Sequence, residues 1–480
     1  MIAGMDTLPL YRQLAIHYRQ AIDAGTLAPG SRMPSLRALM DRHAVSLSTA
    51  LQTCRHLERD GYLEARPRSG YFVRQPRRPA CEPVSEPAVR LAEPARYVGI
   101  QERVTSIIAQ GKQYPVQFNL AAASGACELY PAEALKQATI RALRNDPSVL
   151  TSSAPPMGSA ALRSVLAERA LPSRIVLGRD DIIITNGCIE ALNLALRAVA
   201  QAGDVIAVES PTYYGLLQIL EALGMKALEI PSSAQSGISV EALELAAQTY
   251  RDIKAVVVVP NFQNPLGAVM PDESKARLVA WCEANAIPLI EDDTYSLLGS
   301  TDTPLSAAKA WDRTGNVIHC ASLHKTLAPG MRLGWISAGR WHERVAQLKH
   351  AQSRAQEVLL QLAVADFMGS SAYERYLRRL RLALRDQREQ MIEAVATYFP
   401  EGTRLTPPQG GLILWVELPG RASSELLFER AMREGIAIAP GQMFSNSDRF
   451  DSCIRLSCGL PYTRELNTAM RTLGSLAAEC

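Results

Sequence analysis

Lys325 lies in the segment SLHKTLAPGMRLGW, with Ser322 three residues before it and Arg332 seven after it, across a Pro329-Gly330 turn. It follows the apolar run NVIHCAS. An amine, a hydroxyl and a guanidinium so spaced can take a phosphate-bearing aldehyde: the amine forms a Schiff base and the other two grip the phosphate. Other apolar runs also end in polar residues. Asn186, Gly187 and Cys188 follow DIIIT and lead into the helical pattern IEALNLALRAVA, which points free amides and a positive dipole end at an anion. Tyr213 follows DVIAVE, where an aromatic ring can stack on a planar ligand. Asn264, after AVVVV, precedes Pro265 with its amide free to donate. Asp292 ends IPLIED, and a buried carboxylate there needs a cation, such as a protonated pyridine nitrogen. Tyr295, three residues on, can donate to a ring phenolate together with Asn264.

From Gln117 onward, seven apolar runs (DIIIT, DVIAVE, KALEI, AVVVV, IPLIED, NVIHCAS, RLGWISAG) alternate with amphipathic helical stretches. Such alternation predicts a mainly parallel sheet with helices on both faces. Ligands of these sheets sit at the carboxyl ends of strands, where every candidate above falls. Residues from about 341 to 480, entered by WHERVAQLKHAQSR, are expected to form a smaller lobe.

The chain has 480 residues, 47% hydrophobic and 21% charged, which is enough for more than one core. No apolar run reaches eighteen residues and MIAGMDTLPLYRQL has no basic-then-apolar leader, so a cytoplasmic protein is expected. Nine scattered cysteines without a C-x-x-C pair predict buried reduced thiols rather than disulfides or a zinc site. Residues 1–78 carry twelve arginines, no lysine and six carboxylates, so +6 there leaves −3 for the rest of a chain of net charge +3. A basic head implies a polyanionic partner.

That head predicts helix, helix, helix and two short strands. The first helix, LYRQLAIHYRQAIDAG, ends at Gly25. The second follows the cap Ser35 and runs to His43; the third, Leu47 to Arg59, follows the cap Ser46. Tyr62–Arg66 and Gly70–Val73 form a hairpin around Pro67-Arg68-Ser69. A helix-turn-helix with a basic hairpin is a reading helix with a wing. Residues 75–97, with Pro at 76, 79, 83, 87 and 94 and no hydrophobic period, read as an extended tether. An amphipathic helix is expected over Tyr97 to Gln110.

PGSRMPSLRAL, VSLSTA and LERDGYLEARPRSGYFV together resemble the winged helix of the GntR family of bacterial transcription factors. That resemblance implies double-stranded DNA as partner, with contacts at Arg37, Ser46, Ser48, Thr49, Arg66, Arg68, Ser69 and Gly70. From about Phe118 the chain resembles the fold-type I aminotransferases, which use pyridoxal 5′-phosphate (PLP). By that likeness Lys325 is the Schiff-base lysine, Asp292 pairs with the pyridinium, Asn264 and Tyr295 bind the phenolate oxygen, and Tyr213 stacks on the ring. Gly187, Cys188, Ser322 and Arg332 would hold the phosphate, and Arg455, in CIRLSCG, a substrate or effector carboxylate. Three positions depart from the pattern: Ser153 replaces a Tyr that reaches the partner subunit's phosphate, Ala121 to Cys127 replace a Gly- and Pro-containing loop, and His324 replaces a small hydroxyl residue.

The two parts together resemble the MocR regulators. The implied fold is an α+β winged helix-turn-helix (1–74), a linker (75–97) and an α/β fold-type I aminotransferase body (98–480) with an α+β lobe. The implied function is a homodimeric transcriptional regulator that senses an amino acid or amine through Lys325. Two alternatives stay open: a sensor of PLP itself, and a working aminotransferase with a DNA-binding head.

Overall fold

The computed structural model describes residues 9–480 other than 29, 67–68, 75–80, 88–93, 112, 251, 301–303 and 448, and the side chains of 23 and 59 are also outside it. The chain divides into two compact units, one over Met1–Arg78 and one from Pro79 to Cys480, residues 300–302 excepted.

The first unit contains α1 (Leu10–Asp23), α2 (Leu36–His43), α3 (Leu47–Arg59), β1 (Leu63–Arg66) and β2 (Gly70–Val73). Ser35 and Ser46 each accept a backbone N–H three residues on, at 3.2 Å, and so start α2 and α3. Between those helices Ala44 turns left-handed, at φ 51°. The amphipathic faces meet in a core of Leu14, Tyr18, Leu39, Ala50, Leu57 and Leu63. The hairpin pairs Leu63 with Val73 and Arg66 with Gly70.

The second unit begins with β3 (Arg96–Tyr97), α4 (Gln101–Gly111), β4 (Phe118–Asn119), α5 (Ala132–Asn145), α6 (Ala160–Ala170), β5 (Ile183–Thr185) and α7 (Gly187–Val199). It continues through β6 (Val205–Ser210), α8 (Tyr214–Ala222), β7 (Lys226–Ser233), β8 (Gly237–Ile238), α9 (Val240–Thr249), β9 (Ile253–Val258), α10 (Asp272–Ala284), β10 (Leu289–Asp292), β11 (Val317–Ser322) and β12 (Gly334–Ser337). The rest is α11 (His342–Gln352), α12 (Leu359–Met368), α13 (Ser371–Tyr398), β13 (Arg404–Leu405), β14 (Ile413–Glu417), α14 (Ser424–Arg433), β15 (Ile436–Ala437), β16 (Ala439–Pro440), β17 (Cys453–Ser457) and α15 (Arg464–Ala477).

The main sheet runs β3-β7-β6-β9-β10-β11-β12-β5, with β8 beside β7. β7, β6, β9, β10 and β11 are parallel neighbours; β12 is antiparallel to both β11 and β5. Val208, Val257, Ile290, Ile318 and Ile336 are buried. Their β-branched runs suit strands covered on both faces. All seven strands read from the sequence are present.

The lobe sheet is β13-β14-β17-β16. Two features differ from the expected lobe boundary. Strand β4 pairs with β15, so residues 118–119 join the lobe, while α11 packs on α7.

The tether expected over 75–97 is held down where described. Leu405 N–H donates to Glu82 O at 2.7 Å, Val84 N–H to Thr406 Oγ1 at 3.0 Å, and Ser85 N–H to Glu417 Oε2 at 2.7 Å. Val84 is buried. Arg96 and Tyr97, expected within a tether and at a helix start, instead pair with Ala227 and Lys226 as edge strand β3, and α4 starts at Gln101. One apolar side chain and a few hydrogen bonds, two of them to side chains, seat this Pro-rich segment against an existing surface.

Candidate functional site

The carboxyl ends of β5, β6, β9, β10 and β11 surround one cavity, lined by Gly187, Cys188, Tyr213, Asn264, Asp292, Tyr295, Ser322, Lys325, Arg332 and Arg455. It therefore brings together every body residue expected at the site. Gly187 opens α7 at φ 76°, a left-handed conformation that L side chains rarely adopt. A Cβ on Gly334 would stand 2.6 Å from the Gly187 carbonyl carbon, so only glycine lets β12 pass the start of α7. Ser322 Oγ lies 3.3 Å from Leu333 O and accepts from His324 N at 3.1 Å. Arg332 Nη2 donates to Asn186 O at 3.5 Å. The first-turn amides of α7, a hydroxyl and a guanidinium thus converge at one end of the cavity, a donor set suited to an anion.

Lys325 is half-buried and its Nζ donates to Ser124 Oγ at 3.1 Å. Burial, then the charges of Arg455 and Arg332, lower its amine to about 8, against the pull of Asp292. Asp292, buried at the end of β10, has its carboxyl pushed up by burial and held back by hydrogen bonds from Thr294 and Cys188. Asn264 Nδ2 lies 3.4 Å from Tyr295 Oη. Burial raises the phenols of both Tyr295 and Tyr213. Arg455, on β17, is 1% exposed. Its Nη1 donates to Asn264 Oδ1 at 2.9 Å, Nη2 to Ala121 O, and its Nε is buried with no hydrogen-bond partner among the described residues. A buried guanidinium bonded to neutral oxygens alone is costly until an anion arrives. The chemistry of the set fits PLP: Gly187, Ser322 and Arg332 would suit its phosphate, Asp292 a protonated ring nitrogen, Asn264 and Tyr295 a ring oxygen, and Lys325 an aldehyde.

Three further side chains contribute to the site, of which the sequence singled out only His324, as a departure from the family pattern. Ser124 sits in the 121–127 loop, which stands out only as a departure from the family pattern. Thr294 lies two residues past Asp292. His324 lines the cavity with Nδ1 buried and without a hydrogen-bond partner among the described residues, and burial, then Lys325 and Arg332, push its imidazole down to about 4. Ser153 is exposed and does not line the cavity. Single polar residues such as Ser124 and Thr294 have no periodicity to mark them; only their neighbours in space do.

In the first unit Arg37, Ser46, Ser48, Arg66, Ser69 and Gly70 are exposed and Thr49 is half-buried; Arg68 lies outside the described residues. Ser46 Oγ also bonds Ser48 Oγ at 2.8 Å and Thr49 Oγ1 at 2.9 Å, tying the first turn of α3 together. Leu47 beside them is 55% exposed. The Arg66 guanidinium stacks on Phe72 at 4.3 Å and lies 3.4 Å from Glu64 Oε1. Arg32 is exposed, and its backbone forms an antiparallel β-bridge with Phe72 in the wing. Among the described residues no helix is long and apolar enough to cross a membrane.

Residues 117–473 match the aminotransferase class I and II family and residues 10–73 the gntR family of bacterial regulatory proteins. The chain is 34% identical over 470 residues to the uncharacterized HTH-type transcriptional regulator YjiR of Escherichia coli (strain K12), covering 97% of this chain and 98% of that one. It is also 34% identical over 475 residues to YdcR of the same organism, an uncharacterized HTH-type transcriptional regulator, with 98% and 99% covered. Among solved structures it resembles LysN, the α-aminoadipate aminotransferase of Thermus thermophilus complexed with N-(5′-phosphopyridoxyl)-L-leucine. That match has a TM-score of 0.71, 27% identity, and covers 78% of this chain and 94% of that one. The Pyrococcus horikoshii kynurenine aminotransferase matches with a TM-score of 0.73 and 26% identity, over 78% and 94%. The chain belongs to the class I and II aminotransferase family and, through its first unit, to the gntR family of bacterial regulatory proteins, the two-part layout of the MocR-type regulators.

Proposed function

We propose that this chain is a PLP-dependent, DNA-binding transcriptional regulator that works as a cytoplasmic homodimer. The observation that carries this reading is the single cavity joining Lys325, Asp292, Asn264, Tyr295, Tyr213 and Arg455, in a chain that begins with a winged helix. When bound, PLP supplies an aldehyde open to primary amines and a ring that draws electrons. Lys325 presents a nucleophilic amine, which Ser124 orients. Asp292 holds the ring nitrogen, Asn264 and Tyr295 the ring oxygen, and Tyr213 covers a ring face. Gly187, Cys188, Ser322 and Arg332 bind the phosphate. Arg455 exchanges Asn264 and Ala121 for the carboxylate of an incoming amino acid, forming a bidentate pair.

Binding of the effector shifts the body between states that place the two heads differently, which couples both sites. The heads read double-stranded DNA through Arg37, Ser46, Ser48, Thr49, Arg66, Arg68, Ser69 and Gly70, and two heads read two half-sites. The test is to select bound fragments from sheared genomic DNA, then measure affinity for one such duplex with PLP alone and with PLP plus an amino-acid panel. This reading requires affinity to change with PLP or with one amine. DNA affinity indifferent to both overturns it.

A second reading, a working aminotransferase with a DNA-binding head, is favoured by the presence of Lys325, Asp292 and Arg455 in the same cavity. Rapid keto-acid formation across the panel would select it.

A further inference from the structure

Asp292 has two carboxylate oxygens, and its hydrogen bonds among the described residues all fall on one. Oδ1 accepts from Thr294 Oγ1 at 2.6 Å, from Thr294 N at 3.1 Å and from Cys188 Sγ at 3.3 Å. Oδ2 carries none of them, and Asp292 lines the cavity. Thr294 is 8% exposed and lines the same cavity, as does Cys188. A hydroxyl-to-carboxylate contact of 2.6 Å is in the short, charge-assisted range, and a β-branched side chain holds it in few rotamers.

We propose that Thr294 and Cys188 are positioning residues for the ring nitrogen of the cofactor: by filling Oδ1 they fix the carboxylate so that Oδ2 is aimed at that nitrogen. The proposal rests on the PLP reading of the cavity. Burial pushes the Asp292 carboxyl up, and these two side chains are the donors that oppose it. Burial also pushes the Cys188 thiol well above its ordinary value, so it is a protonated donor at neutral pH. Cys188 belongs to the first turn of α7, whose amides face the phosphate end. The thiol therefore ties the first turn of α7 to the carboxylate of Asp292.

A merely structural role is the plain alternative, since Thr294 also closes the turn after β10. The two roles separate on a ligand that lacks the ring nitrogen. The full chain, as wild type, Thr294→Val, Thr294→Ser and Cys188→Ala, is titrated by absorbance with PLP and with deaza-pyridoxal 5′-phosphate, in which a carbon replaces that nitrogen. The wild type is expected to prefer PLP by about tenfold or more, as for loss of one charge-assisted hydrogen bond. Thr294→Val should shrink this preference by roughly fivefold, Thr294→Ser should restore it and Cys188→Ala should shrink it less. Equal weakening of both ligands in Thr294→Val, or a wild type without preference, overturns the proposal. Should Thr294→Val not fold, the ratio in Cys188→Ala decides in the same way. A wild type that binds neither ligand removes the PLP reading itself.

Discussion

Arg455 donates to Asn264 across 191 positions of sequence, Nη1 to Oδ1 at 2.9 Å. Asn264 also faces Tyr295, so the group proposed to read a carboxylate and the pair proposed to hold the ring oxygen form one network. Arg455→Met should weaken amino-acid effectors about a hundredfold, since hydrogen bonds to a charged group are lost with their partner. Amines of the same shape without a carboxylate should bind almost unchanged. Spectral titration of the PLP-loaded protein checks this, and equal losses for both ligand classes would remove Arg455 from its role.

The amine of Lys325 sets a pH dependence. Its folded value, about 8, lies below the ordinary 10.5 because of burial and then of Arg455 and Arg332. Only the neutral amine attacks an aldehyde, so capture of PLP by the cofactor-free protein should fall roughly tenfold per pH unit below about 8 and level off above it. The unfolded chain binds more protons between the two values, so the stability cost of this lysine is full below about 8 and fades as pH rises towards 10.5. Arg332→Met should move the kinetic midpoint upward. Stopped-flow absorbance measures it, and a midpoint unchanged at the ordinary lysine value contradicts the assignment.

In the wing, Arg66 is held against Phe72 and Glu64, and Arg32 bridges to the same strand. Replacing Arg32 and Arg66 together by Gln should weaken DNA binding and flatten the log–log salt slope by about two, close to one for each phosphate no longer neutralised. Fluorescence anisotropy across a salt series checks this. A slope unchanged by the pair means that the hairpin does not touch phosphate.

Leu57 is buried in the core of the first unit. Leu57→Ala should cost that unit about 2–5 kcal/mol. If 1–74 folds as a domain of its own, calorimetry will show its transition moving to lower temperature while the transition of the body stays in place. A single transition that shifts as a whole would join the two units.

Seven strands of the body and all five elements of the head are legible because their signals are local: runs of β-branched residues, and Ser35 and Ser46 as caps. The cavity residues are legible because strand ends are where polar side chains follow apolar runs. What escapes is held by distant partners. Val84 and Ser85 are held by Thr406, Glu417 and Arg404, more than three hundred positions away. Arg96–Tyr97 pairs as an edge strand although Tyr97 fits a helical period, because the ladder offered by β7 overrides local preference. Ser124 and Thr294 are single polar residues whose meaning comes from Lys325 and Asp292 beside them.

The central claim is a covalent PLP site at Lys325 in a chain that binds DNA. Purified protein incubated with PLP, reduced with borohydride, digested and weighed should carry one phosphopyridoxyl group, on the peptide containing Lys325, and Lys325→Ala should carry none. An unlabelled wild type, or a label that persists at another lysine in Lys325→Ala, would contradict it.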